Sequence, residues 1–144
     1  MTSNVSFMQE LEQTLNPSIL HLDTVTKEMH SADALNPARA YYTTTEAWTI
    51  PLAVLTPTST SEVVTGIRLA NKHEIPVVPF GGGTGVMGSA VPLQGSLVID
   101  LKNLNRIRNI SADDRAAWVE SGVVLKDLND ALNEHGLMLG HDPW

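Results

Sequence analysis

The stretch "PVVPFGGGTGVMGSAVP", residues 76–92, decides the fold of this chain. From Gly83 to Gly88 it reads G-x-G-x-x-G directly after a strand-like run, which is the spacing of a Rossmann dinucleotide site. Such a site needs a helix that opens at the glycines, because the diphosphate lies at the N-terminus of that helix. Here Pro92 and Gly95 leave no room for an amphipathic helix, and the acidic residue expected about 20 positions further on is absent. The stretch therefore argues against a Rossmann fold.

A P-loop is excluded as well, because no lysine follows these glycines and no basic residue occurs between Lys72 and Lys102. An anion at this turn would be bound by backbone N–H groups and hydroxyls, including that of Thr84. Glycine adopts positive φ at little steric cost, so successive N–H groups can converge into an anion-binding nest. We expect this geometry in residues 81–85, called the glycine turn below, at Gly81, Gly82, Gly83 and Gly85. The alternative is a plain turn between two strands.

Hydrophobic spacing predicts a helix near the N-terminus, followed by a polar segment. Ser6 and Gln9 form a capping-box pattern, which predicts that the helix begins there. Its buried stripe is expected to consist of three apolar residues at helical spacing, Phe7, Leu11 and Leu15. Residues 21–46 are polar and weakly periodic, so we expect an irregular lead-in.

A β-α-β unit is predicted directly before the glycine turn. The segments "IPLAVLTP" (50–57) and "IPVVPF" (75–80) read as buried strands. Between them, Ser59 and Glu62 form a second capping box, which predicts the start of a helix. The apolar residues expected on the buried face of that helix are Val63, Val64, Ile67 and Ala70.

After the glycine turn, the pattern predicts strands only, until a final helix begins. The strand candidates are "SLVIDL" (96–101), "RIRNI" (106–110) and "AAWVESG" (116–122). The helix is expected from about Val124, with Gly136 as its C-terminal cap. Its aligned apolar residues are Leu125, Leu128 and Leu132. This order indicates a mixed α+β fold, since helices and strands do not alternate steadily.

The composition is that of a globular chain. Its 144 residues, 42% of them hydrophobic, suffice for one domain with a core. The formal net charge of −7 argues against binding of nucleic acid, which depends on basic patches. There is no cysteine, which excludes disulfides and thiol catalysis. No apolar run approaches the ~20 residues of a membrane span and no secretory signal is recognisable, so we expect a cytoplasmic protein, with peripheral membrane association of the full-length protein as the alternative.

Residue types that often carry chemistry do not form a catalytic or metal site in this pattern. The five histidines lack the spacing of a metal site, and surface or helix-end positions are expected for them. Asp113 and Asp114 read as a solvated turn, not as a carboxylate pair for acid–base work. Trp48 and Trp118 are expected to be packing residues. No catalytic residue and no metal ligand are therefore predicted within the chain.

Four ordered motifs resemble the FAD-linked oxidoreductases of the vanillyl-alcohol oxidase/p-cresol methylhydroxylase (PCMH) superfamily. They are the P-x-G-G-G-T-G pattern at 79–85 and three stretches around it, "TPTSTSEVVTGIRLANKHEIPVVP", "GSLVIDLKNLNRI" and "WVESGVVLKDLNDALNEHGLMLGHDP". The resemblance covers roughly residues 47–144. Within the superfamily the chain most resembles the D-lactate dehydrogenase/glycolate oxidase group. The "Gly-His-Asp-Pro" motif is also similar to the alkyl-dihydroxyacetone-phosphate synthase branch.

The resemblance implies a PCMH-type FAD-binding domain that is truncated in this chain, with a β-α-β subdomain followed by a mixed strand/helix subdomain. Residues 1–46 would form the N-terminal helix and the irregular lead-in, and residues 47–144 the first part of the FAD-binding domain. In such a domain the glycine turn wraps the FAD diphosphate, and the Gly122 turn and the Asp142–Pro143 segment line the flavin cleft. The cofactor-binding residues implied in this way are Phe80, Gly81, Gly82, Gly83, Thr84, Gly85, Ser89, Gly122, Asp142 and Pro143.

The same resemblance implies an activity for the full-length protein. Thr84 stands where covalently flavinylated members carry the histidine that bonds to flavin, which implies non-covalent FAD; Phe80 stands where many relatives have arginine. The implied reaction is oxidation of a small D-2-hydroxy acid, such as D-lactate or glycolate, by a homodimer whose catalytic residues lie beyond Trp144. The electron acceptor stays open. The alternatives are an alkylglycerone-phosphate synthase-like FAD enzyme and a non-catalytic FAD-binding module.

Overall fold

The computed structural model describes residues 2–34 and 49–140. Its helices are α1 (Thr2–Thr14), α2 (Thr24–Met29), α3 (Thr60–Lys72) and α4 (Leu125–Asn133). Its strands are β1 (Leu20–His21), β2 (Ala53–Leu55), β3 (Val77–Phe80), β4 (Leu97–Asp100), β5 (Ile107–Ser111) and β6 (Ala116–Val119). The expected α+β order and the β-α-β unit β2-α3-β3 are both confirmed.

A four-stranded sheet of order β1-β2-β4-β3 forms the centre of the molecule. β2, β4 and β3 run parallel to one another, whereas β1 runs antiparallel to β2. Parallel neighbours require a crossover, and the two connections differ in kind. α3 connects β2 to β3, whereas the segment 81–96, which contains the glycine turn, connects β3 to β4 without a helix. The glycine turn therefore lies at the carboxyl end of β3, the edge where open α/β sheets commonly bind ligands.

α1 and α3 cover one face of this sheet. Phe7, Leu11 and Leu15 of the first helix are buried in the same core as strand residues Leu55 and Leu97, which confirms the predicted stripe. The predicted capping box of this helix is wrong, because α1 begins at Thr2 and the first residue of the box lies inside the helix. Periodicity identified the face correctly, whereas the local box pattern had no bearing on the start.

α3 begins where its capping box predicts, with a different face against the sheet. The Ser59 side chain accepts from the Glu62 N–H, and the Glu62 carboxylate accepts from the Ser59 N–H, which confirms this box. Ala70 is buried as expected, but Val64 and Ile67 are 38% and 46% exposed. Gly66 is buried in their place, with space for a Cβ already taken by Leu55 Cδ2. The predicted burial of Val64 and Ile67 is wrong, because the helix packs against the sheet through its smallest residues.

Part of the lead-in that we expected to be irregular is helical. α2 is only six residues long, and the Asp23 carboxylate caps it by accepting from the Thr26 N–H at 2.8 Å. So short a helix has little stability of its own, and the contacts at its C-terminal end, described below, hold it against the sheet. The predicted boundary between residues 46 and 47 lies outside the described residues, as does Trp48.

The last part of the described chain is an antiparallel hairpin, β5-β6, followed by α4. Gly136 adopts φ +67° and its N–H donates to the Asn133 carbonyl, while the Leu137 N–H donates to the Leu132 carbonyl. These two bonds are a Schellman cap, so the predicted helix end is confirmed. Trp118 on β6 is 74% exposed, so its expected packing role is wrong: the two-stranded sheet has no described layer over that face.

Candidate functional site

The glycine turn leaves the sheet directly from Phe80, the last residue of β3. Phe80 pairs in register with Asp100 of β4, and the Leu101 N–H donates to the Phe80 carbonyl at 3.0 Å. These bonds fix the point at which the turn begins. Beyond it, Gly81, Gly82, Thr84 and Gly85 are exposed, so most of the turn faces outward.

The glycines of the turn do not share one conformation. Gly83 has φ +67°, whereas positive φ is not found at Gly81, Gly82 or Gly85, so that part of the expectation is wrong. A Cβ on Gly81 would meet nothing within 4 Å, and one on Gly82 would meet only the Thr84 methyl at 3.7 Å. Packing within the described chain therefore does not require glycine at those two positions. Their missing side chains leave open backbone, which a ligand can approach closely.

The backbone N–H groups of the turn make no hydrogen bond to the part of the chain that the structure describes. Within residues 2–34 and 49–140, no acceptor is found for the N–H groups of residues 81–85. Such exposed donors, grouped at one turn and next to the Thr84 hydroxyl, suit an anion without a cationic side chain. Each hydrogen bond to a charged group contributes about 1.5–3 kcal/mol. The residues present therefore fit a diphosphate.

A buried ion pair lies beneath the start of the turn. His30, at the C-terminal end of α2, places Nε2 2.9 Å from Asp100 Oδ2 and Nδ1 2.8 Å from the Thr26 carbonyl oxygen. Both ring nitrogens face acceptors, an arrangement that favours the protonated imidazole, in which both nitrogens donate. The hydrogen bond to Asp100 raises the pKa of His30. Although burial pushes the pKa of Asp100 upward, hydrogen bonds from His30 and Lys102 outweigh it and keep that pKa below its ordinary value.

This pair connects to the glycine turn through an aromatic ring. The His30 and Phe80 rings lie 4.7 Å apart between centroids, at an angle of 59°. The far edge of the Phe80 ring lies under Gly83, where a Cβ would be 3.0 Å from Cζ. Asp33, three residues after His30, accepts from the Gly88 N–H at 3.0 Å. None of these contacts with the segment around the glycine turn was predicted. A position at a helix end was expected for His30, but nothing in the polar, weakly periodic segment around it indicates that its side chain is buried.

Gly122 lies at the same edge of the sheet for a different reason. A Cβ there would overlap the Leu101 carbonyl oxygen and lie 3.0 Å from the Leu104 oxygen, to which the Gly122 N–H also donates. Leu101 follows Asp100 directly, so the Gly122 turn is brought close to the strand ends that carry the glycine turn. Packing within the chain is sufficient to require glycine here.

A second buried carboxylate supports the Gly122 turn. Glu120 accepts from the guanidinium groups of Arg106 and Arg108, at 2.9 and 2.7 Å, and from the Arg106 N–H. Its side chain is only 7% exposed. These bonds, led by that from the Arg106 side chain, lower the pKa of Glu120 to about 2.

The structure thus brings most of the predicted site residues to one edge of the sheet. Ser89 is exposed on the same segment, with its Oγ 3.8 Å from the position of a Cβ on Gly85. Asp142 and Pro143 lie outside the described residues. Among residues 2–34 and 49–140, no group of three or more histidine, aspartate or glutamate side chains could hold a metal ion. No helix in this part of the chain is long and apolar enough to cross a membrane.

Comparison with known families accounts for this arrangement. The family described as "FAD binding domain" matches residues 51–144, which include the glycine turn and both buried carboxylates. The chain belongs to this family. It is an FAD-binding domain of the PCMH/vanillyl-alcohol oxidase type, and FAD is its cofactor. The predicted fold class and family are confirmed, and no Rossmann feature is present in the described sheet.

Relatives with described functions are similar over much of the chain. It is 41% identical over 96 residues to the mitochondrial cytochrome-type D-lactate dehydrogenase of Kluyveromyces lactis, covering 65% of this chain and 17% of the relative. It is 31% identical over 150 residues to alkyldihydroxyacetonephosphate synthase of Trypanosoma brucei brucei, covering 95% and 23%. It is 33% identical over 104 residues to glycolate oxidase subunit GlcD of Bacillus subtilis, covering 72% and 22%. The chain therefore spans about a fifth of the length of these relatives.

Solved structures agree on the fold. A structure of alkyldihydroxyacetonephosphate synthase superposes with a TM-score of 0.81 at 24% identity, covering 96% of this chain and 26% of that one. p-Cresol methylhydroxylase superposes with a TM-score of 0.74 at 24% identity, covering 95% and 26%. At this identity the likeness shows the fold alone.

Proposed function

We propose that this chain is the FAD-binding portion of a flavin-dependent oxidoreductase that oxidises a small D-2-hydroxy acid of the D-lactate or glycolate type. The observation that carries the proposal is the set of open N–H donors in residues 81–85, at the carboxyl end of β3 in an FAD-binding domain. The D-lactate dehydrogenase and glycolate oxidase relatives support the substrate class.

In this proposal the chain binds and orients the cofactor. The backbone N–H groups of the glycine turn and the Thr84 hydroxyl would hold the diphosphate, with Ser89 beside it. Gly122, Asp142 and Pro143 would line the flavin cleft. Flavin, when bound, supplies the acceptor for a hydride equivalent from the substrate. The groups that move protons on the substrate belong to the remainder of the full-length protein, which is expected to be a homodimer.

Non-covalent attachment of FAD follows from Thr84, which stands where flavinylated relatives carry histidine. A threonine hydroxyl offers no imidazole nitrogen for a bond to the flavin ring. Precipitating the full-length protein with acid or heat should release all of its yellow flavin into the supernatant. Flavin that stays with the washed precipitate would contradict this assignment.

A second function is supported by one specific observation. The alkyldihydroxyacetonephosphate synthase relative matches 95% of the chain, whereas the D-lactate dehydrogenase relative matches 65% of it. An enzyme of that kind would use FAD on a substrate that carries a glycerone phosphate group, without net oxidation.

Anaerobic reduction of the bound flavin separates these functions. The full-length protein is mixed with D-lactate, L-lactate, glycolate or D-2-hydroxyglutarate, and the flavin absorbance near 450 nm is followed. We expect bleaching by a D-2-hydroxy acid and none by its L-enantiomer. Conversion of an acyl-glycerone phosphate with no bleaching by any hydroxy acid would favour the synthase. Bound FAD with neither reaction would favour a non-catalytic binding module.

A further inference from the structure

A segment outside the matched family region contacts the residues that flank the glycine turn on both sides. Residues 30–33 precede the match at 51–144, yet His30 packs against Phe80 before the turn and Asp33 accepts from Gly88 after it. We propose that His30 and Asp33 are positioning residues, which hold the glycine turn in the conformation that receives the FAD diphosphate. This inference rests on the proposed cofactor site at that turn.

The need for such support follows from the composition of the turn. Glycine loses more conformational freedom on ordering than any other residue, and the turn places three glycines in succession. Because the described residues provide no acceptor for the N–H groups of residues 81–85, the turn has few bonds of its own. Fixing both of its ends before the cofactor arrives lowers the entropy lost on binding, which is the general effect of preorganisation.

His30 acts on the first end. It is 5% exposed, and its bonds to Asp100 and the Thr26 carbonyl leave the ring one orientation. In that orientation it packs on Phe80, and the Phe80 ring in turn lies directly under Gly83. A shift of the imidazole would therefore be passed to the one residue of the turn that has positive φ.

Asp33 acts on the second end. Its Oδ2 accepts from the Gly88 N–H at 3.0 Å, and the same oxygen lies 3.5 Å from the position of a Cβ on Gly85. Gly88 has φ +74°, so this bond holds the backbone where the chain reverses. Both contacts of this oxygen are with backbone positions of the segment that follows β3. We therefore assign its contribution to cofactor binding to the conformation of that backbone.

Substitutions at Asp33 in the full-length protein test this assignment. Asp33→Ala removes the acceptor, whereas Asp33→Asn keeps a side-chain oxygen that can accept from Gly88. Asp113→Ala is the matched control, since it removes the same charge from an exposed position on the β5-β6 turn. Two quantities are measured for each variant: millisecond hydrogen exchange of peptides covering 81–91 in the apoprotein, and the Kd for FAD from flavin fluorescence.

We expect Asp33→Ala to speed exchange in the turn and to raise the Kd about tenfold, the effect of losing one hydrogen bond to a charged group. Asp33→Asn should keep the exchange rate and the Kd close to their wild-type values, and the control Asp113→Ala should change neither quantity. His30→Gln should act like Asp33→Ala on the turn, with His135→Gln as the exposed control. Unchanged exchange at 81–91 in Asp33→Ala would overturn the inference, as would an equal loss of affinity in Asp33→Ala and Asp113→Ala.

The exchange measurement also separates this inference from the proposed function. If the wild-type protein binds no FAD, the cofactor site itself is wrong. Exchange in the apoprotein then still reports whether residues 30–33 order the turn. If the wild type binds FAD and all the variants bind it equally well, the cofactor site is supported and the positioning role of His30 and Asp33 is contradicted.

Discussion

Glycines in two turns at the same edge of the central sheet differ in how much space surrounds them. In the glycine turn, a Cβ on Gly81 would meet no atom of residues 2–34 or 49–140 within 4 Å. At Gly122, a Cβ would overlap the Leu101 carbonyl oxygen, which cannot move without shifting backbone next to β4. Packing requires glycine at position 122, whereas packing of the described residues does not require it at position 81. A glycine whose environment is empty therefore indicates a ligand more strongly than one in a crowded environment.

The carboxylate beside each turn extends the comparison. Asp100, next to the glycine turn, is paired with His30 and Lys102, and Glu120, next to the Gly122 turn, is paired with two arginines. Histidine titrates near neutral pH, whereas arginine stays protonated at every pH at which the protein is folded. The support beneath the glycine turn is therefore expected to weaken as the pH rises through the folded pKa of His30, whereas the support of the Gly122 turn is not.

The largest effect is expected from Gly122→Ala. Because the added methyl overlaps backbone, the turn must move away from the Leu101–Leu104 segment, and we expect a loss of about 3 kcal/mol in the free energy of unfolding. Chemical denaturation of the apoprotein measures this loss. Gly140→Ala is the control, since a Cβ there meets no atom of the described residues within 4 Å. Equal stability of the two variants would contradict the comparison of the two turns.

Gly83→Val should mainly affect cofactor binding. A branched side chain is strained at φ +67° and contacts the Phe80 ring, so the turn must change conformation and lose about two hydrogen bonds to the diphosphate. We expect a Kd for FAD raised by about a hundredfold. The apoprotein should lose only the ~1–2 kcal/mol of a left-handed residue. A variant that keeps its flavin would refute the nest.

Gly81→Ala tests the open side of the turn with a smaller change. Its methyl meets no atom of the described chain, so the stability of the apoprotein should stay within about 0.5 kcal/mol of the wild type. If the diphosphate lies against this backbone, the methyl should weaken FAD binding about tenfold, the equivalent of one hydrogen bond. Calorimetric titration with FAD gives the affinity. Wild-type affinity would show that the cofactor approaches the turn from another side.

The smallest effects are expected in the pH dependence of stability. The pKa of His30 is raised above its ordinary value of 6.5, so its contribution is complete below that pH and is lost as the pH rises through the folded pKa. The pKa of Glu120 is lowered from 4.5 to about 2, so its contribution is complete above pH 4.5 and is lost as the pH falls through that range. The pKa of Asp100 is also lowered, so its contribution to stability is likewise lost as the pH falls.

Two variants show which residue causes the loss of stability at high pH and which causes the loss at low pH. His30→Gln should remove the loss of stability on the alkaline side, and Glu120→Gln should reduce the loss on the acid side while leaving the alkaline side unchanged. Urea denaturation of the apoprotein from about pH 2 to pH 9 measures both, since the contribution of Glu120 is lost below pH 4.5. An alkaline loss that persists in His30→Gln would show that another group causes it.

Local signals in the sequence predicted the elements where one short motif contains all the partners. The Ser59–Glu62 box and the Gly136 cap involve residues within a few positions of each other, and both were read correctly. The box at Ser6 failed although its pattern is equally good, because α1 had already begun at Thr2. The predicted burial of Val64 and Ile67 is wrong for a related reason. Helical periodicity places apolar residues on one stripe, but the side of α3 that packs closely against the sheet is the one that carries Gly66.

An α+β fold with a glycine turn after β3 could be predicted from the sequence, because the order of the elements and the absence of a helix after the turn are local properties of the chain. The FAD-binding domain was implied by the resemblance of four ordered motifs to a known family. Which glycine is required by packing could be seen only in the folded chain, because that depends on atoms up to 21 positions away, as with Gly122 and Leu101. The same holds for His30 and Asp100, 70 residues apart, whose contact arises when α2 packs on the sheet. Periodicity and capping rules act over one or two helical turns, so pairs at that separation leave no pattern that a single sequence can show.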